Sequence, residues 1–394
     1  MNMAHKQNSL NRRKFFNLAA LGSLGAFILP ILSKKGIAQE QQETGKPRTN
    51  IDEAKAYPRT PDSLPGKYPG KVVSVYHENC ITGEEPDYQA ANKMIEAAML
   101  SLTGAATLKE AWLQFVTPGQ VIGLKVNPVA GKMLATSHQV VRAIIEQMEM
   151  AGIPKSQIVI WDRREFELHE TGFTPENYPG VQITGTEQKD KDGSFFDKDG
   201  LLYGEKMIDK NWYYWADVEE EYDAYTLPYM VNSGKYSYFS KICTQQVDKI
   251  INIPILKNAG SSVTLCMKNL AYGCVSNTGR LHKDLWSETC AEVCAFPPVR
   301  DKVVLNIVDG IRGCFNGGPA ANPQFITNFK TVLVGTDPVA VDRIGYEIVL
   351  KKRIAEGIQT EDKPRAREFM IMSQELGLGI ADLDRINLEK IEMV

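Results

Sequence analysis

Apolar and polar positions alternate with period two over Val72-Val73-Ser74-Val75-Tyr76, which predicts a strand with one face on a core. Asp87 to Ser101 switches to helical spacing through Ala91, Met94, Ile95, Ala98 and Met99. Val121 to Val126 is an apolar strand. Ser137 caps a helix running to about Ala151, with Val141, Ile144, Ile145 and Met148 on one face and Gly152 at its end. Gln157 to Trp161 is the next strand. Strand, helix and strand of these lengths predict a right-handed crossover with parallel strands. The same rhythm resumes in Lys249 to Leu256, Val303 to Val308 and Thr331 to Val334, the last leading through Asp337-Pro338 into a helix from Val339 to Lys352. The fold class expected is therefore α/β, a mostly parallel sheet with helices on both faces.

Two stretches break the pattern. Residues 39–70 are polar and rich in proline, which reads as a linker ahead of a domain over 71–394. Residues 187–240 read as a β-rich aromatic insertion, with hairpin turns at Asp192-Gly193 and Asp199-Gly200 and the run Trp212-Tyr213-Tyr214-Trp215. A small hairpin needs a cover of its own, and its aromatic side chains supply one.

The first 38 residues follow a different logic. Arg12-Arg13-Lys14-Phe15-Phe16 precedes a mildly apolar run from Leu18 to Leu32, then Lys34-Lys35 and the small-residue segment Gly36-Ile37-Ala38. This resembles a twin-arginine (Tat) signal, read by the export machinery, and implies a periplasmic protein that folds before it crosses the membrane. An uncleaved membrane anchor is the alternative. Removing the leader leaves 39 basic against 48 acidic residues, a net charge near −9. That balance argues against a nucleic-acid partner, whose phosphates require clustered cations. The seven cysteines contain no C-x-x-C pair, so an iron–sulfur cluster is not expected on this chain, and buried thiols are the simpler reading.

Candidate chemistry gathers where strands end, because ligands of open parallel sheets bind beyond the carboxyl ends of the strands. Those exits carry Lys125 and Asn127, Asp162 with Arg163 and Arg164, Lys257 and Asn258, Asp309, and Thr336 with Asp337. Met267-Lys268-Asn269-Leu270-Ala271-Tyr272-Gly273 leads on to Arg280 and His282. Brought together, Lys125, Lys257, Lys268 and Arg280 with Asn127, Asn258 and Asn269 would hold a small anionic ligand, a carboxylate or phosphate, with His282 as acid or base. Asp309, Asp337 and His282 could instead hold a divalent metal. Simpler roles compete: Asp337 before Pro338 has the form of a helix N-cap, Asp342 suits the dipole of its own helix, and Asp309-Gly310 suits a strand exit. The sequence has no GxxxxGK[ST], no GxGxxG after a strand and no GxSxG, which disfavours the common nucleotide-binding and serine-hydrolase routes.

The ordered motifs Val121 to Asn127, Ile253-Pro254-Ile255-Leu256-Lys257-Asn258, Met267 through Gly273 to His282, Asn306 to Gly310, Gly317-Gly318-Pro319 and Gly335 to Asp342 resemble the domain of unknown function 362 family over about Val72 to Leu350. The resemblance implies an α/β domain, frequent export and, in some relatives, an attached ferredoxin module whose cysteine run is missing from this sequence. It implies no particular reaction. The expectation is a periplasmic enzyme or redox-accessory protein, with a redox partner in the latter case, that binds a small anion. The alternative is a non-catalytic interaction protein using the aromatic insertion.

Overall fold

The computed structural model describes residues 45–188, 203–219, 234–359 and 361–394. The twin-arginine segment and the turns expected at Asp192-Gly193 and Asp199-Gly200 lie outside these residues.

Strands form at each predicted apolar run and also outside those runs. They are β1 (Lys71–His77), the short pair β2 (Ile81–Thr82) and β3 (Glu85–Pro86), β4 (Ile122–Lys125), β5 (Ile158–Arg164), β6 (Gln182–Glu187), β7 (Ile208–Trp215) and β8 (Tyr236–Ser240). Then follow β9 (Lys249–Asn252), β10 (Ile255–Ala259), β11 (Ser262–Thr264), β12 (Val303–Cys314), β13 (Ile326–Gly335) and β14 (Asn387–Met393). Ten form one sheet whose main path runs β14-β1-β13-β12-β9-β4-β5-β6, with β10 beside β12 and β11 beside β10. β12, β9, β4, β5 and β6 are parallel, and the His138–Met150 helix links β4 to β5 as expected.

Helices cover both faces of the sheet. Val73 and Val75 face a core built with the Tyr88–Thr103 and His138–Met150 helices. Val72, one residue out of step, faces a second core with the Cys266–Cys274, Pro338–Ala355 and Glu368–Glu375 helices.

Several expectations need correction. β13 is antiparallel to both β12 and β1, because the short connection from β12 holds no crossover helix and returns the chain as a hairpin. The run Lys249 to Leu256 is two strands, since Pro254 has no N–H for the ladder and the register shifts on its far side. Residues 45–70 are not a free linker. Ile51–Ala56 is a helix, Ala54 and Leu64 are buried, and Arg300 donates to the carbonyls of Tyr57 (3.2 Å) and Pro58 (2.7 Å). The insertion contains the β7–β8 antiparallel hairpin, and its aromatics divide by strand alternation. Tyr214 and Phe239 enter the core, whereas Tyr213, Tyr236 and Tyr238 cluster on the outer face, with Tyr236 42% exposed. All seven cysteines are buried free thiols.

Candidate functional site

At the carboxyl end of β4, beside the last residues of β5 and the middle of β10, lies a cavity of about 120 Å³. Lys125, Asn127, Asp162, Arg163, Lys257, Lys268, Asn269, Tyr272 and His282 all line it. Lys125 therefore shares one cavity with Lys257, Lys268 and His282, which follow it by more than a hundred positions. Its volume holds a few water molecules or one ligand of several heavy atoms, well below the 300–1,000 Å³ typical of sites for larger organic ligands.

The Cys266–Cys274 helix delivers Lys268, Asn269, Tyr272 and Gly273. Its N-cap residue, Leu265, has no side-chain acceptor, so a residue from a different helix does the capping: Asp342 accepts from the N–H groups of Cys266 (2.6 Å) and Met267 (3.0 Å). Asp342 thus acts on this helix rather than on the dipole of its own. Burial pushes its carboxyl up to about 7 against the pull of those two N–H groups.

Lys125 is fully paired. Its ammonium is bonded to Asp162, to the carbonyl of Val126 (2.9 Å) and to Asn269 Oδ1 (3.2 Å), and lies 5.5 Å from the Trp161 ring centroid. Gly273 makes room for it: a Cβ there would stand 2.4 Å from Lys125 Cε and 2.7 Å from Nζ, so the helix tolerates no side chain at that position without moving the lysine.

From Lys257 a chain of side-chain amides crosses the sheet. Lys257 Nζ donates to Asn127 Oδ1 (2.9 Å), Asn127 Nδ2 to Asn269 Oδ1 (2.9 Å), Asn269 Nδ2 to Asn252 Oδ1 (2.8 Å) and Asn252 Nδ2 to Asn306 Oδ1 (3.0 Å). Asn306 Nδ2 finally donates to the carbonyl of Thr336 (3.2 Å). A carbonyl only accepts, so Thr336 sets the direction of every amide in the row and presents Asn127 Oδ1 to Lys257.

Lys257 and Lys268 differ from Lys125 in having no carboxylate partner among the described residues. Lys257 is completely buried, and that burial together with the nearby Lys268 charge lowers its pKa to about 7. Lys268 lies against the rings of Tyr272 (5.4 Å) and Trp286 (5.8 Å), and burial lowers its pKa as well.

His282 stands at the exposed rim, its ring 4.5 Å from that of Tyr272. Nδ1 faces the carbonyl of Thr278 at 3.0 Å and so carries the proton, which leaves the Nε2 lone pair unprotonated. Although the residue reaches solvent, the desolvated position of its ring and the charges of Lys268 and Arg163 push its pKa down to about 4. At neutral pH His282 is a proton acceptor and not a cation.

Four residues expected at the site have other partners. Asn258 closes the β10–β11 turn, donating to the carbonyls of Gly260 (2.8 Å) and Ser262 (3.0 Å). The Arg280 guanidinium holds the β7–β8 hairpin through the carbonyls of Ala216, Val218 and Lys235 and the hydroxyl of Ser237. Asp337 caps its own helix, and Asp309 accepts from the N–H of Ser137 (2.8 Å) beside a separate recess of about 190 Å³. The metal set Asp309, Asp337 and His282 is therefore not assembled, and no group of three or more His, Cys, Asp or Glu side chains able to hold a metal ion occurs among the described residues. Conversely, Asn252 and Asn306 join the site without being expected there. Their signal in the sequence is a lone amide inside the apolar runs Ile251-Asn252-Ile253 and Leu305-Asn306-Ile307.

A wider, open groove of about 820 Å³ lies elsewhere, between Thr82–Tyr88, the outer side of the His138–Met150 helix and Asn177–Val181. Charged residues such as Glu85, Arg142, Glu146 and Glu149 ring it, and none of the strand-end residues reaches it. Greater size there comes without converging buried polar groups.

Residues 214–347, about a third of the chain, match the model of a family described as domain of unknown function (DUF362). The matched segment contains Lys257, Lys268, Asn269 and His282, while Lys125 and Asn127 precede it. No curated protein matches the chain. A crystal structure of a protein from Thermotoga maritima, determined by a structural genomics consortium, is similar at 9% identity with a TM-score of 0.34. The similarity covers 69% of this chain and 60% of that one, so the chain spans less than two thirds of its length.

Proposed function

We propose that the strand-end cavity binds a small anion, a carboxylate or phosphate, through Lys257 and Lys268, with His282 as proton acceptor. The supporting observation is the contrast among three buried lysines. Lys125 has its own carboxylate, whereas Lys257 and Lys268 face the same small cavity without one. Two unneutralised ammonium groups repel each other, and an anion between them relieves that repulsion. Asn127 orients Lys257, and the amide row behind it resists rearrangement.

Calorimetric titration with acetate and inorganic phosphate tests the reading. Lys268→Met is expected to weaken binding by at least about tenfold, since a charge-assisted hydrogen bond contributes roughly 1.5–3 kcal/mol. Affinity of the unaltered protein for acetate, whose own charge is constant over this range, should fall as the pH rises through about 7, because Lys257 then loses the proton that attracts the anion. The pH step should disappear in Lys257→Met. Unchanged affinity in the Lys257→Met/Lys268→Met double variant would remove both residues from the site.

Export through the twin-arginine route into the periplasm belongs to the same proposal and is supported by Arg12-Arg13, Phe15 and the mild apolar run that follows. No helix of the described residues is long and apolar enough to cross a membrane. Exchanging both Arg12 and Arg13 for lysine is expected to leave the protein in the cytoplasm on fractionation. Undiminished export of that variant would count against a twin-arginine leader.

A further inference from the structure

We infer that Lys257 is a covalent amine nucleophile, forming a reversible imine with a small 2-oxo acid whose carboxylate is held by Lys268. The inference rests on the anion-site reading and extends it to a reaction class.

A lysine acts as a nucleophile only when its amine is neutral, desolvated and held in place. Lys257 is held by one hydrogen bond, to Asn127 Oδ1, whose orientation is dictated by the amide row. No carboxylate lies within ion-pair range among the described residues to retain its proton. The titratable groups acting on it are Lys268, Asp162, Cys314 and Glu167, and the outcome of burial and these charges is a pKa of about 7. Lys125, in the same cavity, is held by Asp162 and two further acceptors and has no such freedom.

The ligand class follows from what surrounds the amine. A second ammonium in the same cavity calls for a negative charge next to the reacting carbonyl, and about 120 Å³ admits only a short acid. In the step itself the Lys257 lone pair attacks the carbonyl carbon to form a carbon–nitrogen bond. The two amine hydrogens leave with the carbonyl oxygen as one water, and a carbon–nitrogen double bond remains. No oxidant or reductant is consumed.

The full chain incubated with glyoxylate or pyruvate and sodium cyanoborohydride, which reduces the imine to a stable secondary amine, tests this by intact mass and peptide mapping. The expected result is a single adduct on Lys257, at least tenfold more abundant than on any other lysine, suppressed by excess acetate and reduced in Lys268→Met. Lys257→Arg, which removes the primary amine, should lose the adduct. Calorimetric binding of the oxo acid with no adduct at Lys257 overturns the inference and leaves the anion site standing. Absence of both binding and adduct overturns the two together. Labelling spread evenly over surface lysines also overturns it. Acetate competition is read in the unaltered protein, so that result does not depend on any variant folding.

Discussion

Replacing Lys125 with methionine is expected to lower the free energy of unfolding by about 3–5 kcal/mol, the range seen when one partner of a buried ion pair is removed. Lys125 and Asp162 are both buried, so the variant would leave the Asp162 carboxyl group without its counterion in a place closed to water. The Val126 carbonyl would lose its 2.9 Å donor, and Asn269 Oδ1 would lose one of its two. Urea denaturation provides the measurement. The Lys125→Met/Asp162→Leu double variant separates charge from packing: if the uncompensated carboxylate is the cause, the pair should recover most of the loss. A double variant no more stable than Lys125→Met would show that the lysine acts mainly by filling space.

Asp337→Ala is expected to have a comparable effect, also about 3–5 kcal/mol, by a different route. The Asp337 carboxylate accepts from four backbone N–H groups: Val339 (3.0 Å) and Ala340 (2.9 Å) in its own helix, Gly70 (3.0 Å) ahead of β1, and Ile380 (3.0 Å) in the segment leading to β14. One side chain therefore caps the Pro338–Ala355 helix and pins two distant segments to it. Alanine leaves all four donors short of an acceptor in a fully buried place.

Burial pushes the carboxyl of Asp337 up to about 6, above the value of about 3.9 in an unfolded chain. The folded state thus holds the proton more tightly, so the stabilisation tied to protonation is fully present below about 3.9 and is lost as the pH rises through about 6. The deficit of Asp337→Ala should accordingly be larger at pH 5 than at pH 8. Equal deficits at the two pH values would argue against this titration.

Asp337-Pro338 is recognisable as a cap from the sequence, because an N-cap and a proline in the first turn are local signals. Asp342 is not recognisable as the cap of the Cys266–Cys274 helix, because its targets lie 75 and 76 positions away. Arg280 and Asn258 carry side chains suited to an anion, and nothing near them in the sequence reveals the carbonyls that occupy them instead. β14 is hidden in the sequence because its side chains are mostly polar, as suits the edge of a sheet where, among the described residues, it pairs only with β1.

The apolar strands, the amphipathic helices between them and the layered class they form are all legible in the amino-acid order, because period and capping are written within a few neighbouring residues. The polar exits are legible only in part: Lys125 ends β4 and Thr336 follows β13, whereas Asp162, Lys257, Asn258 and Asp309 lie within β5, β10 and β12. Folding in three dimensions was needed to settle which exit lysines are neutralised and which face a cavity, that β13 runs against its neighbours, and that Asn252 and Asn306 join the row behind Asn127. The energy of a buried charge or amide depends on whatever lies within a few ångströms, and the side chains that hydrogen-bond Lys125 and Lys257 come from 37 to 144 positions away.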